Sequence, residues 1–230
     1  MDGGSVSGLD GSRERPQFMA PRALFIACGA LGRELVELKR MTGWPGMVIE
    51  CLPAHWHNTP DKIAPAVRRK IRAARAKFDR IFVLYAECGT GGELDRVLEE
   101  EGVERISGPH CYQFYMGTEH FTDRAEQEPG CFFLTDYLVR HFDRLIIKGL
   151  GLDRFPELLG DYFGHYTTLI YLAQTEDPRL DGKAEAAAQR LGLGYERRFT
   201  GYGELGDFVA RASQMAEIIP VDFGAAQVAG

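Results

Sequence analysis

Short continuous apolar runs alternate along this chain with segments in which apolar residues recur every three or four positions. The runs are typical of strands buried on both faces, and the periodic segments are typical of amphipathic helices. We predict strands at residues 23–27, 47–49, 81–85, 104–107, 168–173 and 195–200. We predict helices at residues 32–41, from Pro60 onward, and at 92–101, 135–147, 181–191 and 203–217. The alternation predicts parallel strands joined by right-handed crossovers.

The fold class that follows is α/β, with a mostly parallel, Rossmann-like, doubly wound sheet flanked by helices. A chain of 230 residues with 45% hydrophobic content is long enough for one large core. No internal repeat or long linker divides it. We therefore predict a single domain over residues 21–220, a disordered Gly- and Ser-rich leader over 1–20 and a flexible tail over 221–230.

The charge balance excludes one large class of partners. The formal net charge is −6 and the sequence pI about 5.6, whereas nucleic-acid binders rely on clustered Lys and Arg. No segment approaches the roughly 20 apolar residues of a membrane span, and the leader lacks the apolar stretch of a secretory signal. We predict a cytoplasmic protein that acts on a small-molecule substrate and binds neither nucleic acid nor membrane.

Candidate chemistry centres on the cysteines, which number five. In a reducing compartment disulfides are rare, so free thiols, metal ligation and redox chemistry are the open options. Cys28, Cys88 and Cys111 each follow a predicted strand, and ligands of open parallel sheets bind beyond the carboxyl ends of the strands. We predict that these three thiols meet at one edge of the sheet and bind a metal ion. A free cysteine also often acts as a small buried hydrophobe, which is our interpretation of Cys51 and Cys131.

The metal and its remaining ligand stay open at this point. Zinc suits thiolates, with a fourth position that is open in catalytic sites and closed in structural ones, and an iron–sulfur cluster is the alternative. His110, next to Cys111, is the candidate fourth ligand or a catalytic group beside the metal. His55 and His57 follow the second strand and reach the same edge, either as ligands or as ordinary loop residues.

A glycine-rich loop follows the third strand and opens a helix. It consists of Gly89, Thr90, Gly91 and Gly92. Its backbone N–H groups are candidates for binding a cofactor's anionic group, and a tight turn is the alternative reason for the glycines. The same helix terminus could instead lower the pKa of Cys88. Glu87, beside Cys88, is a candidate general base, with a simple solvent-facing position as the alternative.

Three segments of the chain resemble a prokaryotic family called domain of unknown function sixteen thirty-eight. They are Tyr85–Gly92 (Tyr-Ala-Glu-Cys-Gly-Thr-Gly-Gly), Gly108–Tyr112 (Gly-Pro-His-Cys-Tyr) and Phe133–Tyr137 (Phe-Leu-Thr-Asp-Tyr). The resemblance extends from about Ala23 to about Leu205. Cys28, Cys88, His110 and Cys111 match positions that the family pattern features, whereas Ala86-Glu87 stands where that pattern has Gly-Asp.

The family has no settled activity, but its genes often accompany those for corrinoid proteins and their methyltransferases. The resemblance therefore implies a role near cobalamin-dependent methyl transfer, with cobalamin held by a partner. Together with the thiols, it predicts a metal-thiolate protein, either a methyltransferase or a component of one, that moves a methyl group to or from a small molecule. The alternatives are a non-catalytic module that binds a corrinoid protein or its cofactor, and an iron–sulfur redox protein.

Overall fold

The computed structural model describes residues 21–106, 108, 110–117 and 130–218, with side chains up to residue 215. The predicted leader (1–20) and tail (221–230) lie outside these residues, as does Ser107 at the end of the predicted fourth strand.

Six strands and eight α-helices, with short 3-10 and π turns, make up the described part of the chain. The strands are β1 (Ala23–Cys28), β2 (Met47–Leu52), β3 (Arg80–Leu84), β4 (Cys131–Thr135), β5 (Thr168–Ala173) and β6 (Gly194–Phe199). The helices are α1 (Gly32–Thr42), α2 (Ile63–Ala74), α3 (Glu93–Glu101), α4 (Cys111–Met116), α5 (Asp136–Arg140), α6 (Leu159–Phe163), α7 (Pro178–Leu191) and α8 (Gly203–Ile218). Among the described helices, none has both the length and the apolar character that crossing a bilayer requires.

The first sheet has the strand order β2-β1-β3, and all its pairs are parallel. All six residues of β1 are buried because helices cover both faces of this central strand. The predicted fourth strand reduces to a single parallel bridge between Val83 and Arg105. Around that bridge, the N–H of Val83 donates to the Glu104 carbonyl, and the carbonyl of Val83 accepts the N–H of Ile106. Both N···O distances are 3.2 Å.

The second sheet has the order β4-β5-β6 and is also parallel. The predicted α/β class with parallel strands is therefore confirmed, and the strands are divided between two three-stranded sheets. Each sheet has its own hydrophobic core. Leu205 and Val209 of α8 are fully buried in the core of the first sheet, so the last helix returns to the first half of the chain.

The helix predicted at residues 135–147 is interrupted. Thr135 caps it as expected, because its hydroxyl accepts the N–H of Leu138. The α-helix ends at Arg140, where the N–H of His141 is shared between the carbonyls of Tyr137 (3.2 Å) and Leu138 (3.3 Å), as is common at helix ends. A π turn then continues over Asp143–Ile147.

Candidate functional site

Cys28 is the last residue of β1 and lies at the carboxyl edge of the first sheet. Its side chain is buried, and its Sγ accepts the N–H of Ala30 at 3.4 Å, which caps the 3-10 turn that follows. Burial raises the pKa of the thiol to about 12, against the lowering effect of the Ala30 hydrogen bond. Cys88 and Cys51 raise it further, because their negative charges would lie close by. Cys28 is therefore a neutral thiol at physiological pH.

Cys88 lies in the loop after β3 in an uncommon backbone conformation. Its φ is 53°, the only positive φ of a non-glycine residue in the described part of the chain. That region costs an L-residue about 1–2 kcal/mol, and such conformations cluster at functional sites. Burial raises the pKa of Cys88 to about 11, more than the hydrogen bond with the Ala86 backbone lowers it. The expectation that the helix terminus lowers this pKa is therefore wrong, because desolvation dominates.

Cys111 is the first residue of α4 and approaches the other two thiols from a third segment of the chain. Burial is the largest cause of the raised pKa of Cys111, and the charges that Cys88 and Cys28 would carry raise it further. The mutual electrostatic effects mean that residues 28, 88 and 111 share one region at the edge of the first sheet. That these three cysteines bind one metal ion stays a prediction.

Tyr85 lies among these thiols and was missed in the sequence analysis. The residue is 1% exposed, and its hydroxyl interacts with the Cys28 thiol. Burial, followed by the charges that Cys28 and Cys88 would carry, raises its pKa well above the ordinary value. The only sequence signal was a tyrosine at the end of an otherwise apolar predicted strand.

The imidazole of His57 lies beside Cys28, one of the predicted thiol ligands. Its Nδ1 lies 3.9 Å from Cys28 Sγ and 2.8 Å from the carbonyl oxygen of Ala54. A carbonyl only accepts, so Nδ1 carries the hydrogen and Nε2 retains its lone pair. His110 is exposed and precedes α4, with its ring 6.2 Å from that of Tyr112.

The glycine-rich loop is held by Glu87. One carboxylate oxygen accepts the N–H of Gly89 at 2.7 Å, and the other accepts the N–H of Gly92 at 3.2 Å and the hydroxyl of Thr90 at 2.9 Å. Gly91 also has a positive φ, of 62°, which a glycine adopts without strain. The anion that these amides bind in the structure is thus the protein's own carboxylate.

These contacts also define the acid–base character of Glu87. Desolvation raises its pKa, but the hydrogen bonds from Gly92, Gly89 and Thr90 outweigh it, so the pKa lies below the ordinary value. A carboxylate with a lowered pKa is a weak base near neutral pH. The geometry gives Glu87 the role of fixing the loop that carries Cys88.

The donor atoms are not assembled into a ready coordination shell. Among the described residues, no three or more His, Cys, Asp or Glu side chains are grouped closely enough to hold a metal ion. Cys51 is exposed on the edge strand β2, so its assignment to the core is wrong, and Cys131 is only half-buried at the start of β4. The donor types nearby, thiol sulfur and imidazole nitrogen, are those that thiophilic metals prefer.

A second polar cluster, also missed in the sequence analysis, lies where α5 begins. Asp136 is fully buried and accepts hydrogen bonds from the hydroxyl of Tyr171 (2.7 Å), the N–H of Gln174 (3.0 Å), the hydroxyl of Thr175 (2.5 Å) and the guanidinium of Arg140 (3.3 Å). In return, the N–H of Asp136 donates to Gln174 Oε1 at 2.7 Å. This network ties the carboxyl ends of β4 and β5 together.

Comparison with known proteins identifies the family but no activity. A family model described as "Protein of unknown function (DUF1638)" matches residues 51–209, more than half of the chain. The matched range contains Cys88, His110 and Cys111 and begins after Cys28, so it is shorter at its start than the resemblance suggested. No curated protein matches the chain, and no solved structure does. The chain therefore belongs to the DUF1638 family, whose function is unknown.

Proposed function

We propose that this chain is a metal-thiolate protein that binds zinc and acts in corrinoid-linked methyl transfer to or from a small molecule. The observation that carries the proposal is the approach of three thiols from β1, the loop after β3 and the start of α4. Their pKa values are raised by burial, so each is protonated unless a positive charge is near. A bound zinc ion would keep a coordinating thiol deprotonated and still nucleophilic.

Cys28, Cys88 and Cys111 would hold the ion, with a nitrogen from a nearby histidine. His57 is favoured over His110 for that role because its Nδ1 lies 3.9 Å from Cys28 Sγ. The ligand nitrogen would be Nε2, since Nδ1 donates its hydrogen to the Ala54 carbonyl. Zinc–sulfur bonds are about 2.3 Å long, so binding would draw the sulfurs together from their present positions. The αL conformation of Cys88 and the hydrogen bonds to Glu87 restrict how its loop can move in doing so.

The link to corrinoid chemistry comes from the resemblance noted in the sequence and concerns a partner, since the proposal places cobalamin in a separate protein.

The proposed metal site requires reduced thiols, and cytoplasmic proteins rarely form disulfides. None of the five cysteines forms a disulfide bond in the structure. The cytoplasm is accordingly the compartment that we propose.

The first test is metal analysis of the full chain purified without oxygen. We expect about one zinc per chain, as in mononuclear zinc sites. Cys28→Ser, Cys88→Ser and Cys111→Ser should each lose the metal, whereas Cys131→Ser, in the second sheet, should keep it. His57→Ala should weaken zinc binding more than His110→Ala does.

Three results would contradict parts of the proposal. A protein that stays free of metal, even when zinc is added, would end it. A brown protein that absorbs near ~400 nm would indicate an iron–sulfur cluster instead. A zinc protein that never removes the methyl group of methylcobalamin, with or without added thiols, would favour the non-catalytic module that binds a corrinoid protein.

A further inference from the structure

A cavity of about 450 Å³ opens where the first and second halves of the chain meet. Small-molecule sites in proteins commonly measure about 300–1,000 Å³. Its walls are the first turn of α1, the end of α5, the segment after β5 and the segment before α8. Its lining includes Gly32, Arg33, Glu34, Arg140, Thr175 and Tyr202.

Arg33 gives this pocket a positive charge that no described carboxylate neutralises, whereas the charge of Arg140 is paired with Asp136 through one of its nitrogens. Arg33 is exposed and forms no ion pair or hydrogen bond with another described residue. Arg140 donates one hydrogen bond of 3.3 Å to Asp136, while its buried Nε has no partner. The amino end of α1, an eleven-residue helix that begins at Gly32, adds to the positive potential. Glu37 also lines the pocket, but its charge is paired with Arg40 at 2.6 Å.

Glu34 contributes a carboxyl group, a hydrogen-bond acceptor, to the same pocket. It is 5% exposed, and its Oε2 has no hydrogen-bond partner among the described residues. Burial and the charge of Asp136 raise the pKa of this carboxyl, partly offset by its own backbone amide and by Arg140. Buried polar atoms in native proteins are nearly always hydrogen-bonded, so an unpartnered carboxyl oxygen in a pocket wall indicates a missing donor.

We propose that this pocket binds a small carboxylic acid with a hydroxyl or amino group on the neighbouring carbon. The ligand's carboxylate would lie between the guanidinium groups of Arg33 and Arg140, which suit planar carboxylates. Its hydroxyl or amino hydrogen would be donated to Glu34. No thiol lines the pocket, so this inference stands apart from the metal proposal and can fail or succeed without it.

Isothermal titration calorimetry of the full chain with lactate, alanine and propionate tests the proposal. The three acids have nearly the same size, and only propionate lacks the second polar group. We expect lactate or alanine to bind with a Kd on the order of 1 mM, a modest affinity for so few polar contacts. Propionate should bind at least about fivefold more weakly, because Glu34 then keeps its unpartnered oxygen.

Variants localise the site. Arg33→Gln and Arg140→Gln should each weaken binding by about tenfold or more, since a hydrogen bond to a charged group is lost. Glu34→Met should abolish the preference over propionate. Arg69→Gln is the matched control, because Arg69 is an exposed arginine on α2 outside the pocket, and it should leave binding unchanged.

Two outcomes would overturn the inference. The first is that none of the three acids gives saturable binding, or that propionate binds as tightly as the others. The second is unchanged binding in Arg33→Gln, a substitution of an exposed residue that should not disturb folding.

Discussion

Replacing Asp136 with alanine is expected to destabilise the protein strongly. The carboxylate is fully buried and accepts four hydrogen bonds, from Tyr171, Gln174, Thr175 and Arg140. The two hydroxyl donors can rotate to other partners. The backbone N–H of Gln174 and the guanidinium of Arg140 cannot become acceptors, so they would stay unsatisfied.

The expected loss follows from these two stranded donors. Leaving a buried donor without a partner costs about 1–3 kcal/mol, more when it is charged. Removing one member of a buried charged pair typically costs about 3–5 kcal/mol, and we expect Asp136→Ala to fall in that range. A domain of this size has an unfolding free energy of only about 5–15 kcal/mol, so the variant should be markedly less stable.

Urea unfolding followed by far-ultraviolet circular dichroism measures this loss by linear extrapolation. Tyr171→Phe removes one donor without stranding any other group and should cost about 1 kcal/mol. Asp161→Ala, at an exposed position of α6, should change stability by less than about 0.5 kcal/mol. A loss below about 1 kcal/mol for Asp136→Ala would refute the reasoning, because the network would then not be needed at the ends of β4 and β5.

Three further predictions concern ionisable groups. The pKa of Glu34 is raised in the folded protein, so above the ordinary glutamate pKa the folded state binds more protons than the unfolded state. The stability that this group contributes therefore falls as the pH rises. Glu34→Gln should gain stability relative to the wild type between pH ~4 and 8 in urea titrations. The pKa of Glu87 is lowered, so its contribution to stability is present above the ordinary glutamate pKa and is lost as the pH falls through the lowered value. The difference in unfolding free energy between the wild type and Glu87→Gln should therefore disappear in acid. A difference that does not depend on pH would contradict this. Exposed Cys51 should react first with Ellman's reagent, whereas buried Cys28, with a pKa of about 12, should react only on unfolding. If the fast phase of the reaction survives in Cys51→Ser, a thiol other than Cys51 is the accessible one, and the prediction is wrong.

Local patterns predicted most of the regular elements. The apolar run that begins at Ala23 became β1, and the four-residue spacing of Ile63, Val67 and Ile71 became the buried face of α2. The strand β4 and the helix α4 were missed. Both are short segments rich in aromatic residues, in which no period is long enough to distinguish helix from strand.

The candidate site divides in the same way. The cysteines could be placed at strand ends because the chain turns immediately after each apolar run. His57 was likewise expected at this edge, and Glu87 beside Cys88. The approach of Tyr85 to Cys28 and the hydrogen bonds from the loop to Glu87 could not be predicted, because they depend on which segments fold against one another.

The amino-acid sequence by itself determined the alternation of strands and helices, the parallel class of the fold, and the supply of thiols at the ends of strands. These follow from periodicity and from local backbone preference, which act over a few residues. Only the tertiary structure decided that the strands form two sheets, that Asp136 is buried in a hydrogen-bond network, and that Arg33, Glu34 and Arg140 share one pocket. The reason is that strand pairing and the burial of charge depend on contacts between residues far apart in the chain, whose free energy no local pattern records.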